Sequence, residues 1–284
     1  MMSAVAACAA SVRDKEMSHV NPREAIGLDL GRRTVAYDDR DAILYALAVG
    51  ARATELELVF ERDLRALPTY GPALGLWAAD ALGERGLFDV SRALHGAQRL
   101  DVLEPLPPRG ELELTARVAN VWDKGDAAVF EVEVDCRQFR SVAAIFAPGS
   151  GGFGGERGPS AAGDPEQPPS ATGSVQTTPE QAALYRLTGD RHAIHVDPAA
   201  AAAIGQPRPI LHGLCTLGVV VRELARIAGA HACDLRELAV RFAAPVLPGE
   251  RIEVRTWETG ETPTRFAAAT ARGTVLSGGE VRFA

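Results

Sequence analysis

An aspartate and a histidine stand close together in the second half of the chain, at Asp190 and His195, with a further histidine, His192, between them. A carboxylate and an imidazole that converge can hold a water molecule and move protons at neutral pH. Side chains five residues apart lie about 140° apart on a helix, so these two can cooperate only on a turn. Gly189 and the downstream Asp197-Pro198 favour such a turn.

Two other interpretations of these residues remain open on spacing alone. They are equally consistent with polar loop residues at the end of a helix. Asp190, His192 and His195 also supply a carboxylate and two imidazoles, a set that suits several divalent metals. A chelator would separate a metal site from acid–base catalysis.

A second candidate feature is the pair His212-Gly213, which precedes an apolar segment predicted to be helical. The amide of Gly213 would lie at the helix N-terminus, where unpaired N–H groups and the helix dipole favour negative charge. Such an amide can stabilise a carbonyl oxygen that becomes an enolate. A tight turn that needs a small residue explains this glycine equally well.

The elements around these residues are arranged as two similar halves. The segment over 43–50 resembles that over 183–190, and each half has a tyrosine 60 residues before a proline. The pairs are Tyr45 with Pro105 and Tyr185 with Pro245, where 60 is both 105 − 45 and 245 − 185. Two echoes in register indicate a duplication. Gly50 occupies the first-half position of Asp190, so we predict one active site, built on the second half.

Sequence periodicity predicts the same order of elements in both halves. In the second half, Thr178 and Gln181 suit a helical capping box, Asp197-Pro198 starts another helix, and the apolar stretch over 214–228 predicts a buried helix. Strands are predicted over 97–103, 111–121, 128–136, 140–146, 237–242, 251–258, 264–271 and 274–283. A buried helix followed by an antiparallel meander, twice over, is an α+β arrangement, the double hot dog fold.

Composition sets the domain boundaries and excludes several classes of protein. A Gly-, Pro- and Ser-rich linker is predicted over 148–174, between domains over 25–147 and 175–284, after an N-terminal extension over 1–24. A net charge of −7 disfavours broad nucleic-acid binding, and no apolar run reaches the roughly 18 residues of a membrane helix. The four cysteines form no Cys-x-x-Cys pair, and the C-terminus carries no peroxisomal address. We therefore expect a cytoplasmic protein, with its oligomeric state open and a homodimer among the options.

Several segments resemble a known enzyme family. The stretches over 187–198 and 209–216 resemble the two signatures of the hydratase 2 group of MaoC-like enzymes. The segments over 94–98, 122–125 and 149–155 are similar to the hydratase 2 domain of peroxisomal multifunctional enzyme type 2. The resemblance runs from about residue 25 to the end and implies the double hot dog fold.

The resemblance implies reversible hydration of a trans-2-enoyl-CoA to a (3R)-3-hydroxyacyl-CoA, in fatty-acyl or steroid side-chain β-oxidation. Asp190 and His195 resemble the pair that activates water, and Gly213 resembles the donor to the thioester oxygen. No metal or redox cofactor is implied, since CoA is part of the substrate. The implied substrate-binding residues are His95, Gly96, Lys124, Arg191, His192 and Phe242.

Two of these residues have competing interpretations. The usual signature has Asn and Pro where this chain has His192 and Ala193, and an imidazole is larger than an amide and can carry charge. An acyl-CoA-binding protein whose catalysis this change has impaired is therefore one alternative function. Lys124, taken by itself, is better explained as a hairpin-turn residue.

An acyl-CoA thioesterase is the other alternative function, because a fold does not fix the reaction, and release of free CoA would identify it.

Overall fold

The structure is a computed structural model that describes residues 21–160, 163–258 and 263–284. Within these residues, ten strands form one antiparallel sheet. The strands are β1 Asp29–Tyr37, β2 Leu94–Val102, β3 Gly110–Asp123, β4 Ala127–Asp135, β5 Phe139–Pro148, β6 Ala171–Gln176, β7 Leu235–Phe242, β8 Arg251–Trp257, β9 Thr264–Thr270 and β10 Gly273–Phe283.

Seven α-helices accompany the sheet in the described part of the chain. They are α1 Asp39–Ala48, α2 Leu56–Val59, α3 Tyr70–Leu74, α4 Trp77–Gly83, α5 Gln181–Tyr185, α6 Pro198–Ala203 and α7 Gly213–Ala228. Within those same residues, no helix combines the length and the apolar character needed to cross a bilayer.

The order of the strands in the sheet is itself duplicated. It runs β1-β3-β4-β5-β2-β7-β10-β9-β8-β6, so the second five strands repeat the first five in reverse. The halves join where β2 pairs with β7, for example Ala97 with Arg241 and Asp101 with Glu237. Equivalent residues are 140 positions apart, as Tyr185 is from Tyr45 (185 − 45). The predicted duplication and the α+β double hot dog fold are confirmed.

The core forms where the sheet curves around the helices. On β3, Leu112, Leu114, Ala116 and Val118 are buried while the residues between them face outwards, the period-2 pattern of a half-buried strand. Helix α7 packs against β6 and β8 and buries most of its residues from the second to the thirteenth. It ends at Gly229, whose φ of 65° is the left-handed conformation that glycine adopts readily. The prediction of a buried helix over 214–228 is confirmed.

Three features differ from the sequence-based expectations. The predicted linker over 148–174 overlaps β6, because the last residues of that stretch pair with β8 as an edge strand. The first half has two short helices, α3 and α4, in place of one long central helix. The residues between them, including Gly75, form a turn and interrupt the helix. Helix α5 starts at Gln181 rather than Thr178, and only half of the capping box forms, with Thr178 N donating to Gln181 Oε1 at 3.1 Å. The predicted N-terminal extension lies largely outside the described residues.

Candidate active site

Asp190 and His195 converge on the turn that joins α5 to α6. Gly189, with a φ of 139°, lets the chain leave the end of α5, and a 3-10 turn over Ala193–His195 returns it towards α6. Asp197 caps α6 by accepting from Ala199 N at 2.8 Å. The result places His195 Nε2 3.8 Å from Asp190 Oδ2, on a turn as predicted.

The hydrogen bonds of His195 define which ring nitrogen carries the proton. Its Nδ1 lies 2.9 Å from the carbonyl oxygen of Ile210, which can only accept, so Nδ1 is the N–H donor. In the neutral ring Nε2 then presents a lone pair towards the carboxylate of Asp190. Two acceptors cannot hydrogen-bond to each other, but at a separation of 3.8 Å they suit the two hydrogens of a single water molecule.

The surroundings of His195 keep its ring neutral at pH 7. Its residue is 7% exposed, and burial lowers the pKa of the imidazole, although the Ile210 carbonyl and the charge of Asp190 oppose that effect. The Asp190 side chain is 28% exposed. The pair therefore combines a buried neutral base with a carboxylate that is open to a substrate.

His212 contacts both members of this pair, and the sequence did not single out its side chain. Its ring stacks on that of His195, with centroids 3.6 Å apart and an interplanar angle of 22°. Its Nε2 donates to the backbone carbonyl of Asp190 at 3.1 Å. Burial, and then the neighbouring His195, lower the pKa of His212 to about 4, so this ring is also neutral. Its position directly before Gly213 was the available signal.

Gly213 is the first residue of α7, so its amide is among the N–H groups that the helix itself leaves unpaired. A Cβ at this position would lie 3.3 Å from the ring of Phe242, so the site fits glycine closely. The Phe242 ring in turn meets the ring of His95 edge-on, with centroids 4.9 Å apart. The β2–β7 junction therefore brings His95 of the first half beside Gly213 of the second.

The structure brings together a different set of possible metal ligands from the one that the sequence predicted. The predicted set of Asp190, His192 and His195 is not brought together, because the rings of His192 and His195 are 6.3 Å apart. Asp190, His195 and His212 instead have ligand atoms within 4.8 Å of one another. His212 Nε2 donates to the carbonyl of Asp190, so a metal would have to be bound by the lone pair of His212 Nδ1, which is buried without a hydrogen-bond partner among the described residues. These three groups could therefore serve either proton transfer or metal binding, and the effect of a chelator on turnover separates the two.

Comparisons with known proteins agree on one family. Residues 35–153 match the MFE-2 hydratase 2 N-terminal domain, and residues 160–278 match the MaoC like domain. The chain is 35% identical to enoyl-CoA hydratase ChsH3 of Mycobacterium tuberculosis, over 90% of this chain and 96% of that protein. The chain belongs to the MaoC-like hydratase 2 family. Members of this family are hydro-lyases, and this chain is an enzyme of that class.

Further relatives of this MaoC-like chain extend the comparison. It is 36% identical to peroxisomal multifunctional enzyme type 2 of Mus musculus over 83% of its own length, but it spans only 35% of that longer protein. Among solved structures, a MaoC-like dehydratase from Phytophthora capsici superposes with a TM-score of 0.84, at 27% identity, covering 93% of this chain and 98% of that one.

Two predicted substrate-binding residues lie on β2 and in the turn after β3. Gly96 sits at a bulge in β2, where the register shifts between His95 and Ala97. Lys124 Nζ donates to the carbonyl of Arg157, in the Gly-rich stretch after β5. Lys124 thus helps to hold that stretch, in line with its simpler interpretation as a structural turn residue.

The neighbouring Asp123 anchors the same Gly-rich stretch. Its carboxylate accepts hydrogen bonds at 2.8–3.3 Å from four backbone amides, those of Gly125, Gly152, Gly154 and Gly155. These amides, that of Gly152 first, lower the pKa of Asp123 and keep it ionised. This part of the family resemblance therefore has a structural cause.

The remaining predicted contacts, Arg191 and His192, lie in the turn between Asp190 and His195. Both are exposed, as a residue that meets a substrate must be. The backbone N–H of His192 donates to Asp190 Oδ1 at 3.1 Å and so orients the carboxylate.

Proposed function

We propose that this protein reversibly adds water to the double bond of a trans-2-enoyl-CoA, giving a (3R)-3-hydroxyacyl-CoA, in the β-oxidation of fatty-acyl or steroid side chains. The observation that carries the proposal is the pair of acceptors, His195 Nε2 and Asp190 Oδ2, 3.8 Å apart. Both accept from one water molecule and direct its oxygen lone pair towards the substrate. Relatives named as enoyl-CoA hydratases support the same reaction.

The geometry supports a one-sided addition. Neutral His195 takes a proton from water while the water oxygen bonds to C3, and the electrons of the double bond move onto the thioester as an enolate. The N–H of Gly213 would stabilise the enolate oxygen. The imidazolium, stabilised by the carboxylate of Asp190, then returns the proton to C2, so that one water is consumed and both catalytic groups recover their starting charge.

The same reaction needs no redox partner, since hydration changes no overall oxidation state. We therefore propose that CoA enters only as part of the substrate and that a chelator leaves turnover intact. His95, Gly96 and Phe242, beside Gly213, are proposed to contact the thioester, with Arg191 and His192 at the entrance. For Lys124 a contact with the CoA moiety stays a prediction, as do a cytoplasmic location and a homodimer.

The proposal is tested with trans-2-enoyl-CoA esters of short, medium and long chains. Loss of the conjugated absorbance without free CoA is the expected result, and the chain-length series ranks the acyl groups. Appearance of free CoA would instead identify a thioesterase. Tight binding of the esters with no turnover would identify an acyl-CoA-binding protein.

A further inference from the structure

The backbone of His192 is hydrogen-bonded to both members of the catalytic pair, and its ring caps the turn between them. Its N–H donates to Asp190 Oδ1 at 3.1 Å, and its carbonyl accepts from His195 N at 3.4 Å. Its ring Nδ1 accepts from Ile194 N at 3.3 Å, which caps the 3-10 turn that carries His195. One residue therefore holds the carboxylate and the turn in register.

The same hydrogen bond recurs at other helix starts in this fold. In each, a side-chain atom of residue i accepts from the backbone N–H of residue i+2. It is made by the carboxylate or amide oxygens of Asn21, Asp89 and Asp197, at 2.8–3.0 Å. His231 makes it with its ring, accepting from Cys233 N at 3.1 Å. An imidazole Nδ1 thus fills the role of an Asn or Asp oxygen twice in the part of the chain that the structure describes.

The two kinds of cap differ in their response to acid. An amide oxygen keeps its lone pairs, whereas an imidazole that takes a proton at Nδ1 becomes a donor at both nitrogens and can no longer accept. The His192 ring is exposed, so a proton from solvent can reach it. The charged and titratable groups that face it are Asp190 and His195 of its own turn, the adjacent Arg191, and Asp80 of α4 in the first half, whose carboxylate interacts with the charge of His192.

We propose that His192 is a positioning residue that acts as an acid-sensitive cap. While its ring is neutral, Nδ1 holds the turn that presents His195, and protonation of that nitrogen breaks the bond to Ile194 and misaligns the pair. The inference rests on the proposed hydratase activity and adds to it a loss of turnover in acid that originates outside the two catalytic groups.

The first test compares the wild type with His192→Asn and His192→Ala in kcat and KM from pH 5 to 8. At pH 8 the alanine variant is expected to lose about tenfold in kcat, with KM within about threefold, and Asn to recover most of that loss because it keeps the cap. The ratio of wild-type to H192N kcat cancels the titration that both proteins share. This ratio of kcat values is expected to be lower at pH 5.5 than at pH 8 by about fivefold or more. A ratio independent of pH would overturn the proposal.

The matched control is His231→Asn, the same exchange at the other imidazole cap. Its pH profile of kcat is expected to follow that of the wild type. If it changed as H192N does, the effect would be a general one of replacing a histidine and the proposal would fail.

A second measurement needs no turnover. In ¹⁵N-labelled protein, the amide resonance of Ile194 is expected to move with pH as the His192 ring takes up a proton, and in H192N to keep only the smaller shift caused by the neighbouring His195. An Ile194 amide that ignores the protonation of His192 would overturn the cap. If no variant hydrated any ester at any pH, the proposed function would fail, and this resonance would still decide the inference.

Discussion

The turn over 190–195 has a counterpart in the first half, the turn over 50–55, and the two carry opposite chemistry. The offset of 140 residues places Gly50 at the position of Asp190 and Glu55 at that of His195. In the second half an imidazole and a carboxylate face each other as acceptors. In the first half the side chain of Glu55 is fully paired with a cation.

The partner of Glu55 is Arg222, which comes from α7 of the other half. Its Nη2 donates to both carboxylate oxygens of Glu55 at 2.6 Å, and its Nη1 donates to the carbonyl of Val49 at 3.2 Å. Burial raises the pKa of Glu55, but hydrogen bonds from Arg52 N and Arg222 outweigh it, and the pKa is lowered. The duplicated turns therefore differ in their contacts: one joins the two halves through an ion pair, and the other leaves two acceptors facing each other, which the proposed mechanism uses.

The largest expected effect separates the two turns by activity. Asp190→Asn and His195→Ala should each lower kcat about 10³-fold or more, because each removes a group that handles the reacting water. Glu55→Gln, the matching change in the first half, should leave kcat within about threefold. Steady-state kinetics with an enoyl-CoA ester checks both. Near-normal turnover in either second-half variant, or a collapse in E55Q, would contradict the division.

The next largest effect concerns the amide of Gly213. Gly213→Pro removes the N–H at a helix position that tolerates proline, whereas Gly213→Ala keeps it and adds a Cβ at a similar distance from Phe242. We expect the proline variant to lose about 10²–10³-fold in kcat relative to the alanine variant, the usual size for one oxyanion donor. Equal kcat values for the two variants would remove Gly213 from the mechanism.

The loss of activity in acid should arise from the second-half turn and not from the first-half turn. Burial lowers the pKa of His195, so the free base persists to below the ordinary histidine value of about 6.5, and activity declines only in more acid solution. Below its pKa the ring carries a proton and cannot accept another, so in H192N, which lacks the His192 ring, log(kcat/KM) should fall by about one per pH unit. E55Q should leave this limb in place. An acid limb centred above pH 6.5 would show that His195 is not the base.

The smallest effect is on stability, and there the first-half turn should matter more. Arg222→Met leaves the carboxylate of Glu55 without its cation and should cost about 1–2 kcal/mol in the free energy of unfolding. The matched control is Arg137→Met, at the exposed Arg137–Glu104 pair, where a change below about 0.5 kcal/mol is expected. Urea unfolding measures both, and equal values would show that the Glu55–Arg222 pair does not lock the halves.

Much of this fold follows from local sequence patterns. Alternating apolar residues predicted eight of the ten described strands, and the apolar stretch after Gly213 predicted α7. The edge strands β1 and β6 were missed because an edge strand in a polar or Gly-containing stretch lacks the alternation that a half-buried strand has. Strand β6 forms only because β8 supplies its hydrogen bonds, which no local pattern reveals.

The candidate site was likewise predicted from local sequence only in part. A spacing of five residues and a glycine were enough to place Asp190 and His195 on a turn. The stacking of His212 on His195 depends on how α7 enters the sheet, and the pairing of Glu55 with Arg222 joins residues 167 positions apart. Such contacts are tertiary, so they become visible only when the elements are packed.

The proposed reaction is tested most directly by turnover of a trans-2-enoyl-CoA in ¹⁸O-labelled water, with mass and chiral analysis of the product. Addition of water by Asp190 and His195 predicts one labelled oxygen in the C3 hydroxyl of an intact 3-hydroxyacyl-CoA, and the family resemblance predicts its (3R) configuration. Label in the carboxylate of a released acid, together with free CoA, would mean attack at the thioester carbon. That result, or a (3S) product, would contradict the account.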